Sequence, residues 1–326
     1  MTRARGSIID VETTPYYHCV CRCVRRAFLC GEDEFSGQSF EHRREWIVER
    51  LAFLVDVFAI EVASYAVMSN HYHLVLRVDK SKASDWSEGE VIHRWKKLCK
   101  LPQVVITYLK NPEMEGVDLV AQDLIQLWRE RLMDISWLMR FLNEYLARKA
   151  NAEDNCTGRF WEGRFKSQPL LDEAAVITAM SYVDLNPIRA KMAKTPETSD
   201  YTSVKQRIKA INSSSQEASV PLMPLLQDSQ QAHPNSFAFS LKDYLELVDW
   251  AGRAIVPNKR GYIEEKELPI LNRLNINTDG FIELMQKKDD LSQLSVMGST
   301  SALSHYIERL ERKFVRGLSI NQRIFT

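Results

Sequence analysis

No stretch of this 326-residue chain stays apolar for the roughly 20 residues that a membrane helix needs; the longest apolar segment, 51–68, is interrupted by Asp56 and Glu61. The basic residues of the opening MTRARGSIID have no apolar stretch behind them, so no secretory signal is expected there, and the expectation is a cytoplasmic protein without a membrane partner. Net charge is missing as well: 43 Lys and Arg balance 43 Asp and Glu. A nonspecific polycation is thereby excluded, although a nucleic-acid enzyme needs only a local basic surface. There is no glycine-rich phosphate loop, no internal repeat and no paired C-x2-C turn. The six cysteines, Cys19, Cys21, Cys23, Cys30, Cys99 and Cys156, lie in a chain too large to need disulfides and are expected to be reduced. Cys19, Cys21 and Cys23 alternate, so a strand would send them to one face in parallel; they read better as small buried hydrophobes than as a metal site.

What the chain does have is an ordinary globular composition, 45% hydrophobic and 26% charged, in a length that exceeds what one core usually organises. A first strand is expected at 16–24 and a helix at 41–58, where Trp46, Val48, Leu51, Leu54, Val55 and Phe58 fall at helical spacing. Strands at 60–67 and 72–78 flank the Ser69-Asn70 turn as a hairpin. From 81 to 155 the pattern is helical. Ser87 and Glu90 form a capping box ahead of one amphipathic helix, and a long helix is expected over 124–152. GRFWEGRFKSQPLL reads as a strand, succeeded by a helix capped by Asp172 and running through Tyr182. The Ser-, Gln- and Pro-rich stretch 208–238 reads as a mobile or loosely packed linker, and 239–326 as a helical module.

The segment AVMSNHYHLVL carries the chemistry. Residues two apart on a strand share a face, so His71 and His73 leave one side together while Tyr72, Leu74 and Leu76 turn to the other. Two imidazoles on a rigid strand define two corners of a metal coordination shell. Further along, DEAAVITAMSYVDLNPIRA places Tyr182 and Asn186 one helical turn apart. Pro187 opposes helical geometry at Asn186, which could instead cap a new helix; ligand and cap both stay open. In GRFWEGRFKSQ, Arg159, Arg164 and Lys166 interleave with Phe160, Trp161 and Phe165, the mixture of phosphate contacts and stacking faces that single-strand binding uses. Core packing would claim some of those aromatics. Arg22 and His18 on the first strand stand as further candidates, for DNA contact and for proximity to the site.

In that order, SNHYHLVL, GRFWEGRFKSQ and MSYVDLNPIRA resemble the single-tyrosine HUH transposases, particularly the REP-associated tyrosine transposases and their insertion-sequence relatives, over roughly residues 14–207. The resemblance implies an α+β fold, a ferredoxin-like (RRM-like) antiparallel sheet with helices on one face, here with a helical insertion at 81–155 and a helical C-terminal extension. It implies a nucleophile at Tyr182, metal ligands at His71, His73 and Asn186, and a divalent Mg or Mn ion; the DNA contacts expected from Arg22, Arg159, Trp161, Arg164, Phe165 and Lys166 rest on the chemistry of those residues. The implied reaction is cleavage and rejoining of single-stranded DNA beside a hairpin through a 5′-phosphotyrosine, with a homodimer as a possible assembly. Two other classes fit the same motifs: a noncatalytic DNA-binding protein, and a metal-dependent nuclease that uses water. Asp184 stands where members of the family often carry His.

Overall fold

The computed structural model describes residues 9–24, 29–32, 37–111, 116–212, 220–226, 237–255, 269–287 and 290–325. The sequence alternation builds a four-stranded sheet from β1 (Tyr16–Arg22), β2 (Ile60–Val67), β3 (His71–Val78) and β4 (Lys166–Leu170), in the order β2-β3-β1-β4 with every neighbouring pair antiparallel. Helix α1 (Arg43–Val57) links β1 to β2. Between β3 and β4 come α2 (Lys80–Asp85), α3 (Glu88–Lys96), α4 (Gln103–Lys110), α5 (Val117–Leu132) and α6 (Ile135–Glu153). This is the ferredoxin-like strand order, with the helical insertion where the sequence places it.

Each strand feeds two cores because successive side chains point to opposite faces. On one face Tyr17, Cys19 and Cys21 of β1 and Tyr72, Leu74 and Leu76 of β3 pack with Ile47 and Leu51 of α1 and Leu138 and Leu142 of α6. The alternating cysteines are therefore core residues, and burial pushes the Cys21 thiol up to about 12. The Tyr72 hydroxyl donates to Asn143 Oδ1 on α6 at 2.7 Å, which pins the register of the histidine strand. Arg43, at the start of α1, donates to Glu153 through Nε at 2.6 Å and pairs with Asp154, closing α1 onto the end of α6.

The opposite face is covered by the elements C-terminal to β4: α7 (Glu173–Asp184), α8 (Asn186–Arg189), α9 (Ser203–Asn212), the short parallel pair β5 (Leu225–Leu226) and β6 (Phe237–Ser240), and α10 (Leu241–Ile255), α11 (Pro269–Arg273), α12 (Thr278–Gln286), α13 (Asp290–Gln293), α14 (Thr300–Arg309) and α15 (Leu318–Ile324). Val176, Ile177 and Met180 of α7 share one buried cluster with Ala63, Ala66 and Val75 of the sheet, Leu247 of α10 and Phe281 of α12.

Several expectations change on contact with the structure. The long helix of 124–152 is two, α5 and α6, because Asp134 stops the run and caps the second helix by accepting from the Ser136 N–H at 2.6 Å. The apolar stripe continues across the break, so spacing could not show it. Ser87 caps α3 through the Glu90 N–H at 3.2 Å, but Glu90 pairs with Arg94 at 2.6 Å instead of completing the box. Only Lys166–Leu170 of the GRFWEGRFKSQPLL segment is a strand; Trp161 makes a single bridge to Cys23. Within 208–238, Val220 and Met223 are buried and the Met223 N–H donates to Val62 O at 2.8 Å, so this part of the polar stretch is packed on β2.

Asp184, fully buried at the end of α7, ties three helices together. It accepts from Ser203 Oγ at 2.6 Å, from the Val204 N–H at 3.0 Å and from the Tyr244 hydroxyl. Asp184→Ala leaves the Val204 N–H and the Tyr244 hydroxyl without an acceptor and turns Ser203 Oγ to Ser64 Oγ at 3.0 Å, and should cost about 3 kcal/mol in urea unfolding; a loss below about 1 kcal/mol would show that the network does not hold α7 on the sheet.

Candidate active site

His71 and His73 do leave β3 on one face, the face that α7 covers. Their rings lie 4.9 Å apart in an edge arrangement, and His18 of β1 lies side by side with His73, ring centres 5.1 Å apart and planes 2° apart. The Tyr182 ring meets His73 edge-on at 6.2 Å. Three distant segments thus converge, and His18 belongs to the cluster.

The hydrogen bonds of this cluster have one consistent direction. Backbone carbonyls can only accept, so Gln168 donates through Nε2 to Leu294 O at 3.0 Å and Leu291 O at 3.4 Å. That orientation turns Gln168 Oε1 toward His18 Nδ1 at 3.2 Å, so His18 Nδ1–H is a donor. A neutral His18 then accepts at Nε2, 2.9 Å from His73 Nδ1, and His73 must carry its proton on Nδ1. His73 Nε2 is left with a bare lone pair. At His71 the Nδ1–H donates to Asn70 Oδ1 at 2.5 Å, which bares its Nε2 too. The outer hydrogen bond of an imidazole sets which nitrogen can bind a metal.

Burial keeps these rings neutral. It lowers His18 to about 4 against the pull of Gln168, and lowers His71 to about 4 with help from the charges of Arg22 and Arg189. His73 is pushed well below its usual value by burial and by the neighbouring His71 and His18.

Asn186 does not cap the helix it begins. Leu185 is the capping position, Asn186 and Pro187 form the first turn of α8, and no side-chain cap bond forms. Leu185 itself keeps near-helical angles, so α8 continues from α7 with a break of one residue. The Asn186 amide nitrogen is buried with no hydrogen-bond partner among the described residues, and no hydrogen bond joins it to either imidazole. Tyr182 is 4% exposed, more enclosed than a nucleophile meeting solvent. Its ring carries the Arg189 guanidinium at 3.4 Å, and Arg189 Nη2 donates to the Tyr182 carbonyl at 2.9 Å. His71 and Asn186 are half-buried and Arg22, paired in register with His71, is exposed; this is where the cluster meets solvent.

The basic residues Arg159, Arg164 and Lys166 are exposed, as phosphate contacts require, but the aromatics between them turn inward. Phe160 and Phe165 are buried, and Trp161 is half-buried, donating its indole N–H to Asn143 O at 2.9 Å and packing edge-on against Tyr72. Phe165 therefore offers no face to a base in this conformation. Two residues of the cluster escaped sequence reasoning. Gln168 sits opposite His18 only because β4 pairs with β1, and Arg189 stands in the NPIRA stretch without an assigned task.

Among the described residues, no group of three or more His, Cys, Asp or Glu side chains could hold a metal ion, and no helix is long and apolar enough to cross a membrane. No family model matches the chain, and no curated protein matches it. Among solved structures, a REP-associated tyrosine transposase bound to a REP hairpin is similar at a TM-score of 0.37 and 11% identity, over 74% of this chain and 100% of that one. This is a distant structural resemblance.

The imidazoles predict an acid limb in stability. Unfolded histidines protonate near 6.5, whereas His18 and His71 resist to about 4; between those values the unfolded chain binds more protons, so stability falls as pH drops through that window and is fully present above it. Melting temperatures measured from pH 7 to 4 should decline less steeply in His18→Gln than in the unaltered chain. Equal slopes would mean that His18 titrates normally.

Proposed function

We propose that this protein is a metal-dependent single-stranded DNA strand transferase of the tyrosine HUH type, acting at hairpin-bearing ends. The observation that carries this reading is the meeting of the Tyr182 ring with His73, an imidazole whose Nε2 is left bare by the bonds behind it. The motif order of the sequence supports the same reading.

Two neutral imidazole nitrogens and an amide oxygen can hold a divalent ion, Mg or Mn in this reading, with positions left open for water and phosphate oxygens. His71 Nε2, His73 Nε2 and the Asn186 amide, whose nitrogen has no partner among the described residues, would hold it. When bound, such an ion polarises the scissile phosphate and offsets the charge that builds on it. That help is needed, because a tyrosine hydroxyl with a pKa of about 10 is a weak nucleophile at neutral pH.

The chain's own groups do the rest. His18 and Gln168 keep the His73 ring in one orientation and one tautomer. The Tyr182 oxygen attacks phosphorus, the bond to the 3′ oxygen breaks, and the phenol proton is lost as the leaving oxygen gains one. A 5′-phosphotyrosine and a free 3′-hydroxyl result. Attack by a different 3′-hydroxyl reverses the step and joins two strands without a further energy source. Because Tyr182 is enclosed in the free chain, a strand must open the cover over α7 before it is cut. Arg22, Arg159, Arg164 and Lys166, all exposed, would hold the flanking phosphates.

Incubation with hairpin-bearing single-stranded DNA and Mn²⁺, resolved on denaturing gels, tests this. The unaltered chain should yield a covalent protein–DNA adduct, and Tyr182→Phe should lose both adduct and cleavage by a factor on the order of 10⁴. Cleavage that survives in Tyr182→Phe would establish a water-using nuclease instead, and binding without cleavage in either chain a noncatalytic DNA-binding protein.

A further inference from the structure

Arg189 is a buried cation. It is 6% exposed, and among the described residues no carboxylate pairs with it. Of its nitrogens, Nη2 donates to the Tyr182 carbonyl, while Nε and Nη1 are buried without an acceptor among the described residues. The guanidinium plane lies on the Tyr182 ring at 3.4 Å, so its orientation is fixed by the residue it would serve. Its charge reaches His18, His71 and His73, which places it at the cluster, but neutral imidazoles cannot compensate it. Burial lowers its own pKa to about 10, which still leaves it charged at neutral pH.

A purely structural explanation accounts for the bond to the Tyr182 carbonyl and the stack on its ring, and leaves Nε and Nη1 without a task. Closing the last turn of α7 needs a single donor to the Tyr182 carbonyl, which an uncharged side chain could supply. Two further N–H groups and a full positive charge held out of water call for an anion that arrives from outside. We propose that Arg189 is the receptor for one phosphodiester of the bound strand, whose oxygen is taken by Nε or by Nη1 beside Tyr182. This rests on the reading that single-stranded DNA enters the site, and it adds a residue to which neither the motif nor the metal set gives a task. A guanidinium is planar, always charged and more weakly hydrated than an ammonium, which suits it to a phosphate met out of water. Stacking on the phenol ring would hold that plane in place as the strand enters, so the same residue that would cut the strand also aims the group that grips it.

Binding alone tests the proposal, in the full chain carrying Tyr182→Phe so that nothing is cut and the ring is kept. Hairpin-bearing oligonucleotides are prepared with each phosphodiester near the hairpin replaced in turn by an uncharged methylphosphonate. Neutralising one particular linkage should weaken binding about tenfold, and that penalty should vanish when Arg189→Gln is added. The salt dependence of the binding constant should also fall by about 0.7 in slope with Arg189→Gln, the loss of one single-strand phosphate contact. If Arg189→Gln no longer melts cooperatively, Arg189→Lys takes its place; it should shrink the penalty at that linkage at least about threefold, since an ammonium has no planar group to stack on the Tyr182 ring and present the donor in one direction. Identical methylphosphonate profiles with and without the Arg189 change overturn the proposal, as does failure of the chain to bind these oligonucleotides. The adduct assay separates the two claims: adduct formation with a profile indifferent to position 189 refutes the phosphate receptor alone, and a position-189 effect with no adduct refutes the strand transfer alone.

Discussion

The hydrogen bond from His73 Nδ1 to His18 Nε2, 2.9 Å long, is the constraint on which the site depends. A neutral imidazole has one proton to place. If that proton were on Nε2, His73 would have no lone pair to offer the proposed ion. Its place is decided at a distance, by carbonyls of Leu291 and Leu294 that can only accept, through Gln168 and then His18. Burial is the second half of the same constraint, because a protonated His18 would have no acceptor to offer.

This arrangement explains why the two faces of the sheet differ. The face toward α1 and α6 is apolar and fixes the register of β3 through Tyr72. The other carries His18, His71 and His73 beneath α7, and it is closed by segments from the far end of the chain. Residues near position 290 thus act on a histidine at position 73. Asp184 performs the matching task for the helix, holding α7 against α9 and α10 so that the Tyr182 ring stays over the histidines.

Much of this was legible in the sequence. Strand alternation gave the faces of β1 and β3, Asp172 marked the start of α7, and the motif order predicted that Tyr182 would meet the histidine pair. Local patterns could not show what depends on pairing. Gln168 is an unremarked polar residue until β4 lies beside β1, and the break at Asp134 hides inside an unbroken apolar stripe. Phe165 looked like a stacking face because basic residues surround it, yet it is buried, while Trp161 is half-buried with its indole N–H turned to Asn143. Asn186 fitted a cap by its neighbours, but α8 continues so directly from α7 that there is no free helix start to cap.

The most direct measurement is the tautomeric state of the histidines by long-range proton–nitrogen correlation NMR on the metal-free full chain at pH 7. His18, His71 and His73 should each carry a single proton on Nδ1, with Nε2 unprotonated. A proton on His73 Nε2, or a charged ring at His18 or His73, would contradict the account.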